Sequence, residues 1–340
     1  MKQKGFFDEA DRLKKLSELG DSLEKLNENI EWNDFQRPLS KAFEKEAKGP
    51  GGRPSFDYVM MFKILILQKI YNISDDQTEY QINDRLSFQR FIGIQLYDTV
   101  PDAKTIWHFR EVLKEADALE KIFKMFTEKL EKKGVITRSG SIVDATFVEA
   151  PRQRNTKEEN KEIKEGKVPK EWQTEKNRHK MSQKDTDARW TTKNRERHYG
   201  YKDHIKIDKK SKIIMKYSVT SAEVHDSQEL KNLIEKKKDR RLYGDGAYTG
   251  EEVQKCIPKK IMNRIHEKGY RNRPLTKTQK RNNTAKSRIR ARVEHVFAAM
   301  NHFGGIAIRT IGIARARIQI GLLNLAYNLT RYVYLMGAKA

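Results

Sequence analysis

The sequence predicts an α/β protein of the α+β type, with a helical N-terminal region followed by a mixed sheet flanked by helices. Up to Gly134, apolar residues recur at three- and four-residue spacings, which is typical of amphipathic helices; after Gly134 they alternate or cluster as in strands. The later elements follow the order β, β, β, α, β, α, β, α, α, which gives a mixed sheet with helices on its faces.

A chain of 340 residues is long enough for two domains, because single hydrophobic cores stop growing at about 250 to 300 residues. The change of periodicity places the boundary near residue 135. We therefore expect a helical domain at 1–135 and a sheet domain at 136–340, with a polar, basic insertion at about 151–198.

The helices of the first domain are predicted from apolar stripes and from capping residues. Ser74, followed by Gln77, opens one helix as a capping box, and Asp102 precedes another. The predicted helices are 8–30, 56–71, 75–85, 103–115 and 119–133.

The helix at 103–115 carries a polar face that is a candidate for DNA contacts. Ile106 and Phe109 share its apolar stripe, and four polar or basic residues lie largely off that stripe. Two interpretations are open: a helix-turn-helix-like reader of DNA, or an ordinary helix with a solvated face. The four residues are Lys104, Thr105, His108 and Arg110.

The second domain is predicted from strand patterns separated by turns and helices. The strands at 199–207 and 212–220 flank the turn 208–211, as in a hairpin. The predicted strands are 140–149, 199–207, 212–220, 241–243 and 260–264, and the predicted helices are 227–238, 284–300 and 314–336.

The insertion at about 151–198 is almost free of apolar residues, so we expect it to lack a core of its own and to be mobile or ordered by a partner. It contains Trp190, which stands beside Arg189 and near Lys193. An exposed tryptophan there would stack on an unpaired base. The alternative, that Trp190 packs onto the domain surface, is open.

The charge balance points to a polyanionic partner. The chain has 70 Lys and Arg against 47 Asp and Glu, a net charge of +23, which is typical of nucleic-acid binding.

Cys256 is the single cysteine, so a reducing compartment is expected and an intrachain disulfide is excluded. The N-terminus lacks the apolar core of a signal peptide, and the apolar runs carry charges, so we expect no membrane span.

Asp144 is the first candidate for chemistry. It lies within the run SIVDATFVEA, whose β-branched and aromatic residues predict a strand buried on both faces. Burying an ionised carboxylate costs several kcal/mol unless a charge or a metal compensates it. Asp144 is therefore expected to have compensating partners elsewhere in the chain.

Two further acids are candidates for that site. Asp245 follows a short strand and is flanked by Gly244 and Gly246, so a ligand can approach it closely. The alternative is a turn aspartate whose carboxylate bonds to its own backbone. Glu294 lies at the edge of an apolar helix stripe, four residues after Arg290. A simple helix salt bridge is the alternative there.

Together these acids suggest an oxygen-only cage for two divalent ions at a phosphodiester. Mg²⁺ prefers such ligands, and a metal pair can activate a nucleophile and stabilise a leaving oxygen. The sequence has no His and Cys pattern with zinc-ligand spacing, so no zinc site competes with this interpretation. It also has no Walker-type phosphate loop, so we expect no nucleotide cofactor.

Several blocks of the sequence resemble the bacterial insertion-sequence DDE transposases, in particular the insertion sequence five (IS-five) group. The resemblance covers about residues 50–335, and the blocks stand in the family's order. They include GRPSFDYVMMFKILILQKIY, VPDAKTIWHFR, GYKDHIKID, YGDGAYTG and RARVEHVF.

The resemblance implies an N-terminal helical domain that binds DNA ends and a catalytic domain with the RNase H-like fold. Asp144, Asp245 and Glu294 match the family's acidic triad, which implies metal ligation by all three. The implied cofactor is a pair of Mg²⁺ ions, with Mn²⁺ as a substitute. The implied partners are the double-stranded DNA of the element ends and of the target, and a homodimer or higher oligomer acting in the bacterial cytoplasm at the nucleoid.

The sequence departs from a signature of related groups around the third acid. That signature has Tyr, two residues, Arg, three residues, Glu, six residues and Lys; Arg290 and Glu294 match its middle, but Ser287 replaces the Tyr and Asn301 replaces the Lys. A different side chain must then hold the terminal phosphate. The candidates are Lys286, Arg288 and Arg292.

The segment from His266 to Arg292 is expected to lie along the DNA backbone near this site. It has ten Lys or Arg against the single acid Glu267. A solvated loop is the alternative. His225 and Asp226, which follow the third strand, are expected to support the metal ligands.

Overall fold

The structure is a computed structural model that describes residues 8–44, 55–193, 195–305 and 307–337. The chain divides into two compact units, Met1–Phe123 with Leu325–Ala340, and Lys124–Asn324. The sequence patterns place the boundary near residue 135 and assign 136–340 to one domain, whereas here the end of the last helix belongs to the first unit. No helix in the described ranges is long and apolar enough to cross a membrane.

The first unit is helical around one buried helix. Eight of the 14 residues of Tyr58–Tyr71 are buried, because that helix is apolar nearly all round. Its N-cap is Asp57, and Ser74 and Asp102 cap later helices as predicted. The helices are α1 (Asp8–Glu18), α2 (Ser22–Asn29), α3 (Gln36–Phe43), α4 (Tyr58–Tyr71), α5 (Asp75–Asp84), α6 (Leu86–Ile92) and α7 (Ala103–Glu115).

Two features of this unit differ from the sequence patterns. The single helix predicted at 8–30 is broken, since Gly20 adopts a left-handed φ of 87° and Asp21 then caps α2 through the Leu23 N–H. The short helices α3 and α6 were not predicted. α6 begins directly after α5, without a Gly or Pro to separate the two.

The second unit contains a six-stranded mixed sheet. α8 (Ala118–Lys132) precedes it and is followed by Gly134 at a φ of 70°. The strands are β1 (Ser141–Glu149), β2 (Arg189–Lys193), β3 (Glu196–Asp208), β4 (Ile214–Ser221), β5 (Arg241–Tyr243) and β6 (Met262–Asn263). The other helices are α9 (Lys157–Lys164), α10 (Arg178–Gln183), α11 (Asp226–Leu233), α12 (Glu251–Cys256), α13 (Lys277–His302) and α14 (Ile313–Gly337).

The sheet combines antiparallel and parallel pairs. β3 pairs antiparallel with β1, β2 and β4, whereas β5 runs parallel to β1 and β6 runs parallel to β5. The predicted hairpin corresponds to β3 and β4. The predicted fold class is confirmed: a helical N-terminal region and a mixed sheet flanked by helices.

Helices cover both faces of the sheet. On one face Val143 packs with Leu230 and Leu233 of α11. Successive strand residues point to opposite faces, so Val148 lies on the other face, where it packs with Ala316 and Ile320 of α14. Asp144 shares this second face with Val148.

The insertion differs from the expectation that it cannot build a core. Trp172 is fully buried, and Glu159 and Ile163 of α9 are buried with it. The residues at the end of the insertion form β2, which pairs with β3 from Arg189 opposite Gly200 to Lys193 opposite Glu196. One tryptophan and one paired strand thus organise a segment whose composition predicts disorder.

Candidate active site

Asp144 is a mostly buried carboxylate in the middle of β1, with 12% of its side chain exposed. Its Oδ1 accepts the Ala145 N–H at 2.9 Å, and its Oδ2 accepts a hydrogen bond from Arg290 at 2.7 Å. Burial raises the pKa of Asp144 to about 6; the Ala145 N–H and Arg290 oppose this rise, and the charge of Asp245 adds to it. The compensating partner expected for this acid is thus present and is an arginine.

Asp245 lies beside Asp144 on the neighbouring parallel strand. Ser141 pairs with Leu242 and Ile142 with Tyr243, so continuing this register by two positions sets Asp245 next to Asp144. Neighbouring strands lie about 4.8 Å apart. Asp245 also caps a 3₁₀ turn, since its Oδ1 accepts the Ala247 N–H at 2.9 Å. The metal-ligand and turn-aspartate interpretations are therefore compatible at this residue.

Glu294 connects to this pair through Arg290. The Arg290 guanidinium donates to Asp144 Oδ2 and, through its other terminal nitrogen, to Glu294 Oε1 at 2.9 Å. Both Arg290 and Glu294 lie on α13, and the Glu294 side chain is 61% exposed. The predicted helix salt bridge exists, but it is part of a bridge that reaches the sheet.

A side chain at Gly244, the residue before Asp245, would be crowded. A Cβ at Gly244 would lie 3.0 Å from the Tyr248 ring and 3.2 Å from a Val143 methyl group. Tyr248 is fully buried, its hydroxyl has no hydrogen-bond partner among the described residues, and burial together with the charges of Asp144, Asp226 and Asp245 raises its pKa. Sequence reasoning did not single out Tyr248, although its place beside Asp245 was the available signal.

His266 is a second residue that sequence reasoning did not place at the site. Its backbone N–H donates to Gly244 O at 3.1 Å, directly before Asp245. Its ring Nε2 lies 3.3 Å from the Ser287 hydroxyl of α13. The short strand β6 gave no sequence signal for its register against β5.

The carboxylates of Asp144 and Asp245 are oxygen ligands of the kind that divalent ions such as Mg²⁺ prefer. Asp144 and Asp245 offer carboxylate oxygens from adjacent strands, and the buried charge of Asp144 is opposed by a single guanidinium. In the part of the chain that the structure describes, no group of three or more His, Cys, Asp or Glu is arranged to hold a metal ion. The structure thus brings two of the acids side by side and links the third through Arg290, and the three-acid cage stays a prediction.

The four candidate DNA contacts on α7 have different surroundings. Lys104 and His108 are exposed and Thr105 is half-buried. Arg110 forms an ion pair with Asp75 of α5 at 2.5 Å. Trp107, which is 48% exposed on the same helix, was not among the predicted contacts.

The three candidates around β2 differ in the same way. Arg189 donates to the backbone oxygens of Thr186 and Ile163 and therefore holds the insertion together. Trp190 is 47% exposed and lies against Tyr199, with ring centroids 5.0 Å apart. Lys193 lies 3.7 Å from Asp226.

The basic residues of α13 divide into bonded and exposed side chains. Lys286 donates to Ile265 O at 2.9 Å and Arg292 donates to Lys209 O at 2.7 Å. Arg288 is exposed to solvent. Arg290 holds the two carboxylates described above.

His225 and Asp226 lie at the start of α11. The His225 ring accepts the Ser227 N–H as an N-cap, and the buried Asp226 accepts from Lys202 Nζ at 2.8 Å. Lys202 pairs with Phe147 and so points to the face opposite Asp144. Asp226 thus has an ion-pair partner of its own on the α11 face.

Comparisons with known proteins bear on the identity of the chain. The family model described as Transposase DDE domain matches residues 136–329, and the model described as Transposase domain (DUF772) matches residues 11–112. A solved structure, the cryo-EM structure of piggyBac transposase in a synaptic complex with hairpin DNA, aligns at 13% identity and a TM-score of 0.44. That alignment covers 93% of this chain and 73% of that one. Because the DDE domain match spans more than half of its residues, the chain belongs to the DDE transposases.

Proposed function

We propose that this transposase belongs to the insertion sequence five group and mobilises one element in the bacterial nucleoid. It binds the terminal inverted repeats of that element through the helical residues 1–135. Its RNase H-like domain at 136–340 hydrolyses phosphodiester bonds at the element ends. It then joins the released 3′-hydroxyl ends to target DNA.

The observation that carries this proposal is the adjacency of Asp144, in the middle of β1, and Asp245, just past the carboxyl end of the parallel strand β5. Ligands of α/β sheets bind at the carboxyl ends of strands. Arg290 brings Glu294 toward the same point. These are the three acids of the triad that the sequence resemblance implies.

Asp144, Asp245 and Glu294 are the residues that would hold two Mg²⁺ ions, or Mn²⁺ in their place. Bound there, the metal pair would supply Lewis acidity to the scissile phosphate and lower the pKa of the attacking water. The chain's own contribution is orientation. Burial of Asp144 and its bond from the Ala145 N–H fix one carboxylate before DNA arrives.

Arg290 has two tasks in this scheme. In the fold it neutralises Asp144 and restrains Glu294, which limits the cost of burying charge. When DNA is bound, its guanidinium is close enough to the acids to contact a phosphate at the cleavage point, as Arg does in bidentate pairs. The exposed Arg288 and the bonded Lys286 and Arg292 extend the basic surface of α13.

More distant contacts would give end recognition. Lys104, Thr105, His108 and Arg110 present the polar face of α7, and Trp190 with Arg189 and Lys193 presents an aromatic surface beside β2. The protein acts as a homodimer or higher oligomer in this proposal, because two ends must be cut and joined together.

The test is a strand-transfer assay with end DNA, a target plasmid and Mg²⁺. We expect wild-type protein to give joined products, and Asp144→Asn and Glu294→Gln to bind end DNA normally without cutting it. Glu252→Gln, which changes a glutamate paired with Lys255 on the exposed α12 surface, is the matched control and keeps full activity.

Three outcomes would contradict the proposal. Nicked ends without joined products would indicate a metal-dependent nuclease of the same fold. End binding unaffected by Mg²⁺, without any nicks, would indicate a DNA-binding protein without enzymatic activity. Full strand transfer by Asp144→Asn would overturn the assignment of the acids.

A further inference from the structure

Three neighbouring parallel strands, β1, β5 and β6, carry a row of polar side chains that extends past the two aspartates; the row crosses the middle of β1 and lies just past the ends of β5 and β6. Arg241 pairs with Met262 and Leu242 with Asn263. The backbone bonds continue beyond these pairs, from the Arg264 N–H to Leu242 O at 2.8 Å and from the His266 N–H to Gly244 O at 3.1 Å. The register therefore sets His266 beside Asp245, as Asp245 stands beside Asp144.

The His266 ring is held by the helix that also carries Arg290. Its Nε2 lies 3.3 Å from the Ser287 hydroxyl, one helical turn before Arg290. Ser287 occupies the position where the related signature has a tyrosine. No other group among the described residues hydrogen-bonds the ring, so Nδ1 is available to a ligand.

The surroundings of His266 contain cations that would attract an anionic ligand. Lys286 and Arg290 lie near enough to act on the ring; burial and these two cations lower the pKa of His266, and the charge of Asp245 opposes them. An imidazole ring can offer an N–H donor to such a ligand. A phosphate that lies over Asp144 and Asp245 would meet this ring at the end of the row.

Resting on the proposed transposase activity, we propose that His266 is a further residue of the active centre. Its imidazole donates a hydrogen bond to a non-bridging oxygen of the phosphate that is cut, and Ser287 sets the orientation of the ring. Neither residue transfers a proton or forms a bond to phosphorus in this scheme. His266 is a catalytic residue because it touches the reacting group, and Ser287 is a positioning residue.

The first test is single-turnover cleavage of end DNA at saturating protein and Mg²⁺. We expect His266→Ala to lower the cleavage rate roughly 10²-fold, the usual effect of removing one donor from a developing charge, with the Kd for end DNA unchanged. His266→Asn, whose amide places a donor near Nδ1, should recover most of the rate, and Ser287→Ala should fall between the two. His302→Ala, which changes an exposed histidine at the far end of α13, is the control and keeps the wild-type rate.

The second test uses single-diastereomer phosphorothioates at the scissile phosphate. Sulfur accepts hydrogen bonds poorly, so replacing the contacted oxygen should slow the wild type and add little to the loss in His266→Ala. Sulfur in place of an oxygen that His266 does not contact should slow cleavage equally in wild type and in His266→Ala. A residue with only a structural role would not show this coupling.

The outcomes separate this inference from the proposed function. A wild-type rate for His266→Ala, or an equal thio effect in both proteins at each diastereomer, overturns the role of His266 and leaves the transposase proposal intact. Wild-type protein that never cuts end DNA overturns both. Loss of end binding by both His266→Ala and His266→Asn also overturns the inference, because the residue would then support the fold.

Discussion

At the scale of single residues, Asp203 shows how the fold sets a protonation state. It is fully buried on β3, and burial raises its pKa to about 8 although the Asn324 amide opposes the rise. Asn324 Nδ2 donates to Asp203 Oδ1 at 3.2 Å, while Asp203 Oδ2 and Asn324 Oδ1 have no other partner among the described residues. A protonated Asp203 carries a hydrogen that a buried carboxylate would lack, so protonation reduces the cost of burying this group.

This pair predicts a pH dependence of stability. The pKa of Asp203 is about 8 in the folded protein and about 3.9 in an unfolded chain, so its contribution is complete below about pH 4 and is lost as the pH rises through 8. Within that window the free energy of unfolding should fall by about 1.4 kcal/mol per pH unit from this group. Asp203→Asn removes this part of the slope.

The measurement is urea unfolding of wild type and Asp203→Asn at pH 6, 7 and 8, with Glu252→Gln as the surface control. The difference between wild type and Asp203→Asn should grow in favour of the variant as the pH rises. Parallel pH dependences in the two proteins would show that Asp203 is not protonated in the fold.

The residues of the site differ in how far sequence alone could find them. Asp144 was predictable because an acid within an apolar strand is costly, and Asp245 because glycines flank it. The role of Arg290 as a bridge between Asp144 and Glu294 was not, since its i, i+4 spacing to Glu294 indicates only a helix pair. The contact to Asp144 spans 146 positions, which no local pattern encodes.

At the scale of elements, the insertion depends on one buried tryptophan. Trp172 Nε1 donates to Glu159 Oε1 at 2.6 Å, and the Thr156 N–H and Lys180 bond the same carboxylate. Burial alone would raise the pKa of Glu159, but these hydrogen bonds outweigh it and lower the pKa to about 2. A charged glutamate and an apolar ring thus form the centre of a segment that is otherwise polar.

We expect Trp172→Ala to unfold the insertion without unfolding the sheet. Truncating a buried tryptophan costs about 3 to 5 kcal/mol, more than so small a cluster can compensate. Trypsin should then cut within 151–198 much faster, while the thermal transition of the sheet stays close to that of wild type. Trp190→Ala, at the exposed tryptophan of the same region, is the control and should leave the digestion rate unchanged.

Elements with strong patterns were predicted well and short ones were not. The helix Ala103–Glu115 and the strand Arg241–Tyr243 were predicted with the observed bounds, because Asp102 caps the first and glycines follow the second. β2 was missed, since its alternation is weak and its pairing with β3 supplies the order.

At the scale of the whole molecule, the net charge of +23 favours association with a polyanion. Some of the 70 Lys and Arg side chains pair with acids inside the fold: Arg110 pairs with Asp75, and Arg138 pairs with Glu131 and Glu235. Other cations, such as Arg288, are exposed to solvent. Exposed cations of this second kind can neutralise DNA phosphates, and so release counterions, without breaking an ion pair of the fold.

The affinity for end DNA should therefore fall steeply with salt. A complex with about 6 to 10 phosphate contacts gives a slope of roughly −5 to −9 in log K against log salt concentration. Arg288→Gln should reduce that slope by about 1. Lys167→Gln, at a surface lysine paired with Glu165, should leave the slope unchanged. Fluorescence anisotropy between 50 and 300 mM salt, a range of about sixfold, measures it.

The sequence by itself determined the fold class, most long elements and the acids that match the triad, because periodicity, caps and an acid in an apolar strand are local physical signals. Only the tertiary structure decided the register that sets Asp144, Asp245 and His266 in one row, the bridge through Arg290 and the core around Trp172. These depend on contacts between residues far apart in the chain. The energy of such contacts comes from burial and pairing in three dimensions, which no short stretch of sequence contains.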